Sequence, residues 1–115
     1  MINQKKNFMD YIPVCNPVNS WDVNKKDMVV VHVVNRGFYN WIAQKIFKRP
    51  KVSHIVLDEY GSFVWQKMDG KRTVFDISKL VSEHFGKDAE PVVERLVTYV
   101  QILYQNKFIG YVKQN

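Results

Sequence analysis

The sequence has a single cysteine, Cys15, which leaves no partner for an internal disulfide and excludes a cysteine-rich zinc site. Long apolar runs are missing too. The longest, residues 28–31, holds four residues, whereas a membrane-spanning helix needs about 20. The lysines of the opening MINQKKNFMDYIPV are followed by no apolar stretch, so no secretory signal is expected there. Together these absences point to the cytoplasm. With 5 Gly and 4 Pro the chain is too poor in both for a low-complexity or collagen-like segment. Acidic residues are absent between positions 28 and 57, where Arg36, Lys45, Lys48, Arg49 and Lys51 all lie. The whole net charge of +6 therefore resides in the first half, which favours an acidic partner there.

What is present is ample material for a core. Hydrophobic residues make up 46% of the 115 positions and aromatics 14%, enough for one folded domain spanning residues 1–115. Residues 1–19 carry Pro13 and Pro17 with no periodicity and read as an irregular arm. Residues 20–23 alternate, residues 28–34 (MVVVHVV) are rich in β-branched side chains, and the polar 24–27 between them reads as a hairpin loop. Residues 37–50 form an insert whose centre reads as a short helix. Its apolar half holds Phe38, Ile42 and Ile46, and its other side Trp41, Lys45 and Lys48. A third strand is expected over 51–57 (KVSHIVL).

The rest reads as helix. Asp58 is a good N-cap for a helix over 58–69, with Gly70 beyond its end. Thr73 and Asp76 form a capping-box pattern for a helix over 73–85 that Gly86 closes. Pro91 suits the first turn of a helix over 90–106, where Val93, Leu96, Val97, Val100, Leu103 and Tyr104 form the expected core stripe. Phe63, Val64, Ile77 and Leu80 are expected in the same core. Residues 108–112 read as a strand-like tail. The expected fold class is α+β, a winged helix-turn-helix in which a small N-terminal antiparallel sheet precedes a three-helix bundle.

The ordered set Leu57-Asp58-Glu59-Tyr60-Gly61-Ser62-Phe63-Val64-Trp65, Met68-Asp69-Gly70-Lys71-Arg72-Thr73-Val74, Ile77 and Phe85-Gly86 resembles the PqqD-like family, named after pyrroloquinoline-quinone biosynthesis protein D. The resemblance covers about residues 51–112, and the chain departs from compact members through its insert. It implies a winged helix-turn-helix peptide chaperone. Such a protein binds the leader of a precursor peptide and presents it to a modifying enzyme, often a radical S-adenosylmethionine enzyme. The leader adds as a strand beside the third strand and lies against the last helix.

The residues themselves agree with that implication in part. An edge at Lys51, Val52, Ser53, His54, Ile55 and Val56 offers backbone groups to an extended peptide. The last helix carries a second stripe, Val92, Tyr99 and Ile102 with Arg95 and Asn106, that a helix packed on one side has no need of. The basic insert patch, Trp41, Lys45, Lys48 and Arg49, suits an acidic peptide or anionic surface through charge and cation–π contacts. Its plainer reading is a solvated lysine face.

No catalytic constellation, cofactor loop or metal pattern is legible, so the expectation is a non-enzyme without cofactor or metal. His32, His54 and His84 are scattered. His32 and His54 fall on strands that can be neighbours, but a metal site ordinarily takes three or four ligands, and both read as ordinary sheet residues. The alternative function is a winged-helix DNA-binding protein or transcriptional regulator. Charge placement disfavours it. The second helix sets Lys79 against Asp76 and Glu83, and the last sets Arg95 against Glu94, so neither is an electropositive recognition helix.

Overall fold

The structure, a computed structural model, describes residues 7–34 and 52–113. The chain divides into two compact units, residues 17–59 and residues 1–16 with 60–115. The architecture is α+β, with small antiparallel sheets followed by three helices. The insert, with Trp41, Lys45, Lys48, Arg49 and Lys51, lies outside the described residues.

The first unit is a three-stranded antiparallel sheet, β2 (Ser20–Val23), β3 (Val29–Val34) and β4 (Val52–Val56), in that spatial order. The β2–β3 loop is built by Asn24. Its side-chain oxygen accepts from the amides of Lys26 and Met28, and Asp27 takes φ +65° to bring the chain back into register. Pleating sends alternate side chains to opposite faces. Val29 and Val31 are buried on one face, while Asp22, Val30, His32, His54 and Val56 share the other.

The second unit holds α1 (Glu59–Lys67), α2 (Val74–Phe85), α3 (Val92–Gln105) and a two-stranded sheet, β1 (Pro13–Cys15) with β5 (Ile109–Tyr111). Its core is Val64, Trp65 and Met68 from and after α1, Val74, Ile77 and Val81 from α2, Leu96, Val100 and Leu103 from α3, and Ile109 from β5. Two expected core members, Phe63 and Leu80, are only half-buried. Val93 and Tyr104 are about half exposed, at 46% and 49%. The buried α3 stripe is narrower than expected: Leu96, Val100 and Leu103 are buried, and Val97 is half-buried. Tyr104 instead stacks on Tyr111, ring centroids 4.6 Å apart.

Residues 1–19 were expected to be an irregular arm; residues 1–6 lie outside the described residues, and within 7–19 the structure shows two short regular elements. Residues 8–10 make a turn of 3-10 helix capped by the Asn7 side chain, and β1 follows. The carbonyls of Tyr11, Ile12 and Pro13 accept from the amides of Val74, Val112 and Gly70. The segment is thus fixed by partners near the middle and the end of the chain. Phe8, Tyr11 and Tyr111 add a ring cluster, in which burial and then the neighbouring Tyr104 and Tyr11 push the Tyr111 phenol up to about 12.

The α1–α2 turn follows its sequence chemistry. Asp69 accepts from the amides of Lys71 and Arg72 and from the Arg72 guanidinium. These contacts, the Lys71 amide foremost, hold its carboxyl below the usual range. Gly70 has φ +81°, and a Cβ there would sit 3.3 Å from Val14. Thr73 and Asp76 complete a reciprocal capping box.

Helix α3 starts after Pro91, which stands at the N-cap rather than inside the first turn. It ends without glycine. The amide of Phe108 donates to Leu103 O and that of Lys107 to Tyr104 O, with Lys107 at φ +65°. This is a Schellman cap whose left-handed position is occupied by lysine. Lys107→Gly is therefore expected to raise stability by about 1 kcal/mol, as it relieves the Cβ clash of that conformation. Urea denaturation of the two proteins checks this, with an unchanged or lower midpoint counting against the cap.

Candidate functional site

One candidate surface, on the first unit, is a strand that is at the sheet edge among the described residues. In the described sheet β4 has a strand neighbour on one side, β3. The amide of Leu57, just past β4, donates to Val29 O at 2.9 Å. Antiparallel pairs alternate between hydrogen-bonded and non-bonded rungs. The β3–β4 register runs from Val30↔Val56 to Val34↔Val52 without a bulge. The bonded rungs are thus Val29–Leu57, Val31–Ile55 and Val33–Ser53. The backbone N–H and C=O of Val52, His54 and Val56 point the other way, off the sheet edge. Val56 and Ile55 expose 59% and 37% of their surface, so the strand's described end is apolar, and among the described residues no second strand pairs with its outer backbone.

A second candidate surface, on the helical unit and described by itself, is a cavity of about 400 Å³ lined by Tyr60, Glu94, Arg95, Thr98, Tyr99 and Ile102. Residues 95, 99 and 102 recur at helical spacing on α3, and Tyr60 enters from the first turn of α1. The Tyr60 ring meets Tyr99 edge-on at 5.9 Å and carries the Arg95 guanidinium 4.8 Å above it. Arg95 also donates to the Asp88 carbonyl at 2.8 Å, and Tyr99 Oη donates to Gly61 O at 3.2 Å. Both side chains are thus held in place before any ligand arrives. Arg95 and Glu94 supply one charge of each sign to an otherwise largely uncharged lining.

Of the second stripe expected on the last helix, Arg95, Tyr99 and Ile102 line this cavity. Val92 is half-buried and is not among the lining residues. Asn106 is the helix C-cap, its Nδ2 donating to Ile102 O at 2.8 Å. Sequence reasoning missed Tyr60, Glu94 and Thr98. Glu94 and Thr98 flank the stripe on the same helix and were within reach of a wider face. Tyr60 had no signal, since its place depends on how α1 packs on α3. Val52, Ser53, His54, Ile55 and Val56 lie on β4 as expected. Cys15, half-buried, points its Sγ at Trp65 O, 3.8 Å away, and burial pushes its thiol up to about 11. It stays protonated at neutral pH and is a poor nucleophile.

Among the described residues no helix is long and apolar enough to cross a membrane. No curated protein and no solved structure matches the chain. The family profile of coenzyme PQQ synthesis protein D (PqqD) matches residues 46–109, which takes in β4, all three helices, the capping-box turn and the whole cavity lining. With more than half of its length matched, the chain belongs to the PqqD family.

Proposed function

We propose that this chain is a non-enzymatic adaptor that binds a precursor peptide through its leader and presents it to a modifying enzyme, a radical S-adenosylmethionine enzyme being the first candidate. One observation carries the reading: the outward-facing backbone of Val52, His54 and Val56 on a strand that, among the described residues, pairs on one side only. Such an edge is a template for an added strand, with main-chain bonds supplying affinity and direction. Membership of a family of accessory, peptide-binding proteins supports it. The cavity at Tyr60, Arg95, Tyr99 and Ile102 is a separate surface that we assign to apolar side chains of a precursor peptide. Trp41, Lys45, Lys48, Arg49 and Lys51 are assigned to acidic residues of the peptide, acting chiefly on the association rate. The DNA-binding alternative is weakened further by Arg95, whose guanidinium is engaged by the Asp88 carbonyl and the Tyr60 ring.

The test is a titration of the isotope-labelled chain with candidate precursor peptides, taken from short reading frames sought beside its gene or from a peptide pull-down, followed by amide chemical shifts. Shifts are expected on residues 52–57 and on the 92–106 face. Tyr99→Ala is expected to weaken binding on the order of tenfold, the usual scale for truncating an anchoring aromatic. A peptide that binds with a footprint avoiding both surfaces overturns the proposal.

A further inference from the structure

On the three-stranded sheet, away from the buried Val29 and Val31, two histidines face one another. His32 and His54 are register partners on β3 and β4. The rung they share is one of the non-bonded ones, where opposing Cα atoms approach most closely, about 4.5 Å. Their rings meet edge to face at 4.8 Å, with the two Nδ1 atoms 2.7 Å apart. The other nitrogen of His32, Nε2, lies 3.3 Å from Asp22 Oδ2 on β2.

The Asp22 contact favours one tautomer of His32. Asp22, 70% exposed in its side chain, is an acceptor, so the contact is a hydrogen bond when His32 carries hydrogen on Nε2. In that tautomer the Nδ1 lone pair of His32 faces His54, whose own Nδ1–H can donate to it at 2.7 Å. A cation between the two rings satisfies that lone pair and the one His54 presents when its own proton is on Nε2. A carboxylate on the far nitrogen of an imidazole is the outer partner that metal-binding histidines commonly have, since it sets the tautomer and raises basicity.

We propose that His32 and His54 form a two-imidazole site for a divalent first-row ion of tetragonal preference, copper(II) or nickel(II), with Asp22 as the positioning carboxylate. Imidazole nitrogen is a preferred ligand of both ions, and the order of divalent affinities puts copper(II) above nickel(II). The Nδ1–Nδ1 contact of 2.7 Å is shorter than the roughly 2.9 Å between two nitrogens in neighbouring tetragonal positions, so the rings part slightly as an ion enters. Among the described residues no three or more of His, Cys, Asp and Glu are grouped to hold a metal ion, so water completes the coordination. The site is reversible rather than structural, and occupied it clips β4 to β3.

The experiment uses the full chain with copper(II) chloride and nickel(II) chloride, read by calorimetry and by paramagnetic broadening of amide signals. The expected result is one saturable equivalent, tighter for copper, with broadening centred on residues 20–22, 30–33 and 54–56. His32→Ala and His54→Ala each abolish it, with circular dichroism showing that the fold is kept. Asp22→Asn weakens it on the order of 10–100-fold. His84→Ala, on a histidine stacked against Phe63 in the other unit, leaves it unchanged. Absence of saturable binding, or binding that survives His54→Ala, overturns the site and leaves a hydrogen-bonded histidine pair. Unaltered affinity in Asp22→Asn removes Asp22 from it.

Discussion

Leu96→Ala is expected to cost about 2–5 kcal/mol, the range for deleting a fully buried leucine. Leu96 exposes 0% of its surface, at the head of the Leu96–Val100–Leu103 stripe of α3. Removing its branch forfeits apolar transfer energy and leaves a void that neighbours fill incompletely. A domain of this size has about 5–15 kcal/mol in total. The loss is thus a large fraction, and the melting temperature is expected to fall on the order of 10–20 °C. Leu80→Ala is the internal comparison. Leu80 is only half-buried on α2, so its truncation is expected to cost about 1–2 kcal/mol in proportion to the smaller area it hides. Thermal denaturation of the two variants beside the parent decides the matter. Equal shifts for both would mean that the faces of α2 and α3 are misassigned, and so would misplace the cavity on the flank of α3.

How much of this was legible in the sequence depends on how local the cause is. The Thr73–Asp76 capping box and the closing Gly86 are made by contacts within a few residues, and the chain announces them, as it does the left-handed Gly70, whose amide also reaches Pro13 O. The strands over 20–23, 29–34 and 52–56 were legible from β-branched content to within about a residue at each end. β1 was not. It has three residues, begins at a proline, and pairs with a strand at the opposite end of the chain, so nothing in its neighbourhood reports the pairing. The candidate site divides in the same way. Arg95, Tyr99 and Ile102 are visible as a helical stripe, whereas Tyr60 reaches the cavity through tertiary packing of α1. The edge strand is visible as a segment, but which of its amides point outward is fixed by register, and a one-residue slip would exchange the two sets. The His32–His54 contact has the same origin: two single histidines become a pair only because that register makes them opposite on a close rung.

The register makes a sharp prediction for the edge. Proline carries no amide hydrogen, so along a strand its effect depends on which way the lost donor faced. The Ile55 amide belongs to a bonded rung and donates to Val31 of β3. Ile55→Pro is expected to destabilise the sheet, since it orphans a ladder carbonyl at about 1–3 kcal/mol and forces the ring against β3. The Val56 amide faces outward, and its side chain is 59% exposed. Val56→Pro is expected to leave the fold within about 1 kcal/mol of the parent, because an edge strand tolerates proline where the donor faced away. The same substitution is expected to weaken the precursor peptide at least about tenfold, by deleting one main-chain donor and putting a ring where the added strand must approach. Val56→Ala controls for the side chain, keeps the amide and is expected to bind nearly as the parent does. Amide hydrogen exchange of β3 reports the sheet, and the peptide titration reports the edge. Were Val56→Pro to bind like Val56→Ala, the peptide would not be pairing along β4. Were Ile55→Pro tolerated while Val56→Pro unfolds the sheet, the bonded and outward rungs would be reversed, and the outward donors would be those of Ser53 and Ile55.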